Sequence, residues 1–481
     1  MTQALIQDPD SVRVIKPLPT YVVTALSWLF AILFGVWALP HTVFIRHTCM
    51  VLGSVLGLYV IGYLWKNDLL KMQAKTMPIF LILALFVWVT IHLLWIGKEP
   101  GLQWLEYARS WKKIFITFPF ALGLGLAIRY EIDHKDKIRV RSLWRIMYFA
   151  FLLPTLIFFI KLALTQWAAV ANIQLSPYLV LSQDWSHRSG MPKYFYVFFS
   201  LPAFAIALGA ITHEILQNTL SMKKYALYFL TLFIAPIIFF IQSDRNGMLY
   251  AAVLMVLAVS ILGRSVLIRG GSVKQKTLVS ILIILLIGVM AASIQSNSAW
   301  KVMIADVKVA LQLDKIDNWK YQGQLGISYP INEYGITVNP SNYDRATWGM
   351  AGLSLASENP LGYGLMTLSF DHLTKAKWPN SFMSQTHSAW LDFALGYGIP
   401  GIALFMLALI LAWRNSKDIE EPWSYMGRWG LGVLGLVMLT TEISSEIFIN
   451  ALIFMVVMTA GLTMSFQAGS LRHANPKQWG D

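Results

Sequence analysis

Three arginines and one histidine are the residues of this 481-residue chain best suited to chemistry. Arg245 sits in Ser243-Asp244-Arg245-Asn246-Gly247, Arg345 precedes Trp348 by about one helical turn, Arg188 lies in Ser186-His187-Arg188-Ser189-Gly190, and His387 lies in Gln385-Thr386-His387-Ser388. A guanidinium offers a planar fork of donors that suits phosphate oxygens. An imidazole is the side chain best able to take a proton near neutral pH. Brought together, they would clamp an anion beside a proton acceptor. Each also has an ordinary use: Arg245 as a snorkelling residue paired with Asp244, Arg188 and Arg345 as interfacial or aromatic-stacked cations, His387 as a hydrogen-bonded structural residue. Asp244 and Asp392 are the candidate supporting carboxylates, the second lying four residues after Ser388.

The elements that must position these groups are membrane helices. Apolar residues make up 56% of the chain and charged residues 13%, against roughly 45–50% and 25% in soluble domains. A soluble globular protein is therefore excluded. Apolar runs long enough to cross a bilayer recur about twelve times, near 21–39, 49–65, 77–96, 114–128, 145–166, 194–213, 225–242, 247–263, 277–294, 388–413, 429–443 and 447–466. The fold class expected is all-α, a polytopic integral membrane protein. Lysines and arginines concentrate in alternate short connections, such as Arg129 to Arg145 and Arg264 to Lys276, which places the N-terminus inside. The segment 97–113 runs against this rule, since Lys98, Arg109, Lys112 and Lys113 would face outward among Trp104, Tyr107 and Trp111.

The division expected is a cytoplasmic tail at 1–20, nine helices in 21–294, a large outer loop at 295–387, three helices in 388–466 and a cytoplasmic tail at 467–481. The first span reads as an uncleaved signal anchor. The net charge of +13 is mostly a record of topology, so no nucleic-acid partner is expected. One cysteine, Cys49, rules out an intramolecular disulfide, and no Cys/His spacing suits zinc. In the loop, Trp300, Met303, Ile304, Val307 and Leu311 fall at helical spacing and predict an interfacial amphipathic helix. A second helix is predicted to start at Ser341 and to stop before Asn359-Pro360.

The pattern of these residues resembles the bacterial O-antigen ligase and O-antigen polymerase superfamily, most of all the ligase. The resemblance is carried, in order, by Ser243 to Gly247, Arg345 with Trp348, Asn359-Pro360-Leu361-Gly362-Tyr363-Gly364, and His387 followed by Gly398-Ile399-Pro400-Gly401, with a looser match at Arg188 and Gly190. It departs from the family where Asp244 and Asn246 flank the hairpin arginine and where Ser388 follows His387.

The resemblance implies a GT-C-like membrane glycosyltransferase of the bacterial inner membrane, with its active site facing the periplasm. Its donor would be a glycan on undecaprenyl diphosphate and its acceptor the lipid A core, within lipopolysaccharide biosynthesis. Arg245, Arg345 and Arg188 would bind the diphosphate, and His387 would activate the acceptor hydroxyl in an inverting transfer without metal or other cofactor. The only Asp-x-Asp, Asp8-Pro9-Asp10, falls on the inner tail, away from these residues. A polymerase joining lipid-linked repeat units is the alternative within the class. A transporter or flippase is the alternative outside it, and would place charged residues near the bilayer midplane.

Overall fold

The structure is a computed structural model that describes residues 17–70, 73–133, 137–181, 193–296, 298–441 and 446–466. Among these residues the chain is helical, with no β structure beyond two isolated bridges. The reason is the solvent: in lipid, backbone N–H and C=O groups need partners within their own segment, and a helix provides them.

Nine helices among the described residues are long and apolar enough to cross a membrane, which makes this a multi-pass membrane protein. They are Val43–Lys66, Ala74–Ile96, Pro100–Asp133, Lys137–Ala171, Tyr194–Leu216, Arg245–Ile268, Val273–Gln295, Ala389–Asp418 and Glu446–Thr463. The expectation was about twelve. Thr20–Val36 and Ala226–Ile241 are apolar but shorter. The stretch expected at 429–443 lies on a helix that runs from Trp423 to Val437, with a π-helical turn at Met426–Leu431 and an α segment at Gly432–Val437.

Glu446–Thr463 is the central helix, buried on every side from Phe448 to Thr463. It packs on Lys112–Asp133 and on Ala389–Asn415, as a helix apolar all round must. Close backbone approach makes this possible. A methyl group on Gly125 would stand 2.2 Å from the Met458 carbonyl oxygen, so only glycine fits there.

The loop between the helices Val273–Ser296 and Ala389–Asn415 builds a small core of its own. Trp319, Tyr343, Trp348, Leu355, Phe370 and Met383 are buried together there. Its first helix, Ala299–Ala310, is where an amphipathic helix was predicted. The predicted stripe is not the buried face, however: Ile304 and Leu311 are exposed, while Ala305, Asp306, Val309 and Ala310 are buried. Its second helix is Pro340–Glu358, one residue earlier than expected and ending as expected. The cap is Asn339, whose Oδ1 accepts from the Ser341 N–H at 3.1 Å, rather than Ser341 itself.

The loop is joined to the membrane helices at the glycine-rich turn 359–364. Ala389–Asn415 is kinked at Gly398, which has φ 68°, a region only glycine enters freely. The kink frees backbone groups that the turn takes up: Tyr363 N–H donates to Leu395 O at 2.8 Å, Gly364 N–H to Gly396 O at 2.7 Å, and Ile399 N–H to Pro360 O at 2.8 Å. Gly362 is equally constrained, since a Cβ there would lie 2.4 Å from the Gly398 nitrogen. The glycines at 396 and 398 thus admit the loop.

Candidate functional site

The site begins at the hairpin between Ala226–Ile241 and Arg245–Arg269. Ser243 turns the chain with φ 48°, and Asp244 caps the second helix by accepting from the Gly247 N–H at 3.0 Å. The cap fixes Arg245 as the first residue of the helix. Asp244 therefore supports Arg245 through the backbone, and the arginine's own hydrogen bonds go elsewhere. Its Nη1 donates to Asn342 Oδ1 at 2.6 Å and its Nη2 to Ser341 Oγ at 2.7 Å, both on the loop helix.

Arg345, on that same loop helix, reaches the opposite way. Its Nη1 donates to Asn246 Oδ1 at 3.0 Å. Each arginine is thus held by a neutral side chain from the other's element, and among the described residues neither forms a salt bridge. The two guanidiniums lie within each other's electrostatic field, with Asp244 and Asp306 partly offsetting Arg245. Two like charges held close by neutral partners are chemically suited to receive an anion. They line a polar recess of about 270 Å³ together with Ser243, Asn246, Asn339 and Ser341.

Behind the recess lies Asp306, fully buried. It accepts from the Asn332 amide at 2.9 Å, the Asn342 amide at 2.9 Å and the Asn339 N–H at 3.2 Å. Asn342 is oriented by this carboxylate and presents its oxygen to Arg245. Asp306 was missed from the sequence, where its one signal is a carboxylate among Ala305, Val309 and Ala310.

Arg345 also lines a second cavity of about 540 Å³, walled by Gly349, Leu353, Leu391, Leu439 and Thr440 and by His387 and Trp390. His387 takes the left-handed conformation, φ 59°. Two contacts define its surroundings. Its ring stacks on Trp348, with centroids 5.2 Å apart and planes 5° apart. The preceding turn is held by Asp392, whose Oδ1 accepts from the Thr386 N–H at 3.0 Å and the Thr386 hydroxyl at 2.7 Å. Asp392 thus fixes the backbone that carries His387.

Asp344, four residues before Trp348 on the loop helix, is a further buried carboxylate near His387. Burial pushes its pKa up to about 6, opposed by the hydroxyl of Tyr329, which donates to Oδ2 at 2.9 Å, and by the field of His387. Arg188, with Gly190, lies outside the described residues. The structure brings together Arg245, Arg345, His387, Asp244 and Asp392, and adds Asn246, Asn342, Asp306 and Asp344.

No curated protein matches the chain. Residues 230–406 match the family model described as O-antigen ligase. That segment contains both arginines, His387, the loop core and the Gly398 kink. The part of the chain that builds this site is therefore the part that is similar to the O-antigen ligase family.

Proposed function

We propose that the protein is an O-antigen ligase, a GT-C-like inverting glycosyltransferase of the inner membrane. It takes a glycan from undecaprenyl diphosphate and joins it to the lipid A core on the periplasmic side. The observation that carries this reading is the position of Arg345, which belongs to the wall of the polar recess and of the largely apolar cavity at once. A donor with a diphosphate between a lipid and a sugar needs such a junction.

In the reaction, the bond between the anomeric carbon and the diphosphate oxygen breaks while the acceptor oxygen bonds to that carbon from the opposite face. Negative charge grows on the departing diphosphate. Arg245 and Arg345, already oriented by Asn342, Ser341 and Asn246, meet that charge without reorganising. The acceptor hydroxyl loses its proton to His387, at the edge of the cavity. Arg188 is assigned to the same diphosphate, and no metal is required in this scheme.

The test is transfer by purified protein from a lipid-linked glycan to lipid A core. His387→Ala is expected to lower turnover by about 10²–10⁴-fold, the usual contribution of a positioned base. Arg245→Ala is expected to lower it by about 10²–10³-fold. Full activity in either variant removes that residue from the mechanism. Electrophoresis of lipopolysaccharide after gene deletion separates the branches: a bare core means ligase, a core bearing one repeat unit means polymerase, and an unchanged pattern rejects both.

A further inference from the structure

The segment 97–113 violates the charge rule that the rest of the chain obeys, and the structure shows what its cations do. Helix Pro100–Glu106 is tied to the loop: the Glu106 carboxylate accepts from the backbone N–H groups of Met366 at 2.5 Å and Thr367 at 3.0 Å. The segment therefore lies on the loop-bearing face. Directly after it, Lys113 pairs with Glu446, Ser110 donates to Glu446 at 2.5 Å, and Arg109 lies 3.4 Å from the same carboxylate.

Two more basic residues come from another helix. Arg46 lies within the field of Glu446, and His47 within the fields of Arg46, Lys112 and Lys113. Three permanent cations, Arg46, Arg109 and Lys113, thus face one carboxylate among the described residues, and Lys112 stands beside them with its field on His47. Internal pairing explains Lys113 and the backbone of the cluster. It leaves Arg109, with 79% of its side chain exposed, and the exposed Lys112 directed at solvent. Exposed Phe44 and Trp104 lie near them in the chain, the residue type that anchors at lipid headgroups.

We infer that the Arg46, Arg109, Lys112 and Lys113 cluster is a binding site for the phosphorylated headgroup of the acceptor glycolipid. This rests on the ligase reading above. A cluster of excess cations at the membrane surface attracts phosphate groups. The cluster adjoins the reaction site in the chain: Leu439 and Thr440 line the His387 cavity, and Glu446 anchors the cations six residues on. Asn246, which holds Arg345, donates to Thr440 O at 3.4 Å, so the donor arginines and the cation cluster attach to the same stretch of chain.

The experiment uses the full chain in lipid nanodiscs, with bisphosphorylated lipid A core and its phosphatase-treated form as acceptors. In the double variant Arg109→Gln/Lys112→Gln, KM for the phosphorylated acceptor should rise about tenfold. Donor KM and kcat should stay within about twofold, and the dephosphorylated acceptor should not distinguish variant from wild type. An unchanged acceptor KM overturns the inference, as does an equal rise with both acceptors. Loss of the difference when phosphatidylglycerol is added to the discs also overturns it, because the cluster is then a general belt for anionic lipid. If the wild type transfers glycan to neither acceptor, the ligase reading fails instead. Retention of the phosphorylated glycolipid by wild type and not by the double variant, read by native mass spectrometry of the discs, then decides the binding site on its own, and equal retention overturns it.

Discussion

The recess at Arg245 and Arg345 and the cluster around Glu446 are both concentrations of positive charge on the loop-bearing face, built in opposite ways. In the recess, amide and hydroxyl oxygens fix the guanidiniums and neutralise nothing. At Glu446, a carboxylate gathers the cations and cancels part of their charge. Neutral partners leave the charge, offset only in part by the more distant fields of Asp244 and Asp306, available to a ligand at a fixed place, whereas a charged partner gives anchorage and leaves only the surplus to act. The first design suits a reaction whose charge must be met at one point. The second suits recruitment from a surface.

The comparison is broken most directly at Arg345. Arg345→Ala should lower kcat/KM by about 10²–10³-fold in the transfer assay, and a much smaller loss would mean that Arg245 suffices. Next in size, Asp306→Ala leaves the Asn332, Asn339 and Asn342 donors buried without their acceptor. Thermal unfolding in detergent should then show about 3 kcal/mol of lost stability, together with reduced turnover because Asn342 no longer orients Arg245.

Asp344→Asn isolates a carboxylate of the loop helix. In the wild type the folded pKa is raised from 3.8 to about 6, so the folded chain binds the extra proton within that window. Stability falls as pH rises through it and stays lower above it, by about 3 kcal/mol. Asparagine still accepts from Tyr329 and has no proton to lose, so that part of the pH dependence should vanish from unfolding curves. The smallest effect sharpens the contrast: Asn246→Asp gives Arg345 a charged partner of the kind Glu446 provides, and should cost about tenfold in kcat/KM while keeping the hydrogen bond from Arg345 and giving up only the long one to Thr440 O. Activity unchanged by that substitution would remove the distinction between the two designs.

The membrane helices could be read from apolar run length, because lipid imposes that one requirement on every span. The run at 429–443 misled at its edges, since its helix begins at Trp423 and passes through a π-helical turn at Met426–Leu431 that hydropathy does not register. Arg245, Arg345 and His387 were visible because charged or titratable residues are rare in such a chain. Their holders were not. Asn342 lies 97 residues from Arg245, and Asn246 lies 99 residues from Arg345, and neither amide is unusual in its own surroundings. The predicted cap at Ser341 failed for a related reason: its hydroxyl serves Arg245, and Asn339 caps the helix in its place. Local rules describe what a residue can do in its own segment, and these residues serve a distant one.

The break at Gly398 carries a consequence for how this molecule could change. Pro400 has no N–H to offer Gly396 O, and the kink withdraws the helical partner of Leu395 O; both acceptors are served by the 359–364 turn. Helix Ala389–Asn415 is therefore incomplete without the loop, and its interruption stays soluble in lipid only while that turn is docked. A loop exchanged for one of different specificity must bring the same glycine turn with it. Variation in substrate is then free to accumulate elsewhere in the loop, while the seam that closes the membrane helix stays fixed.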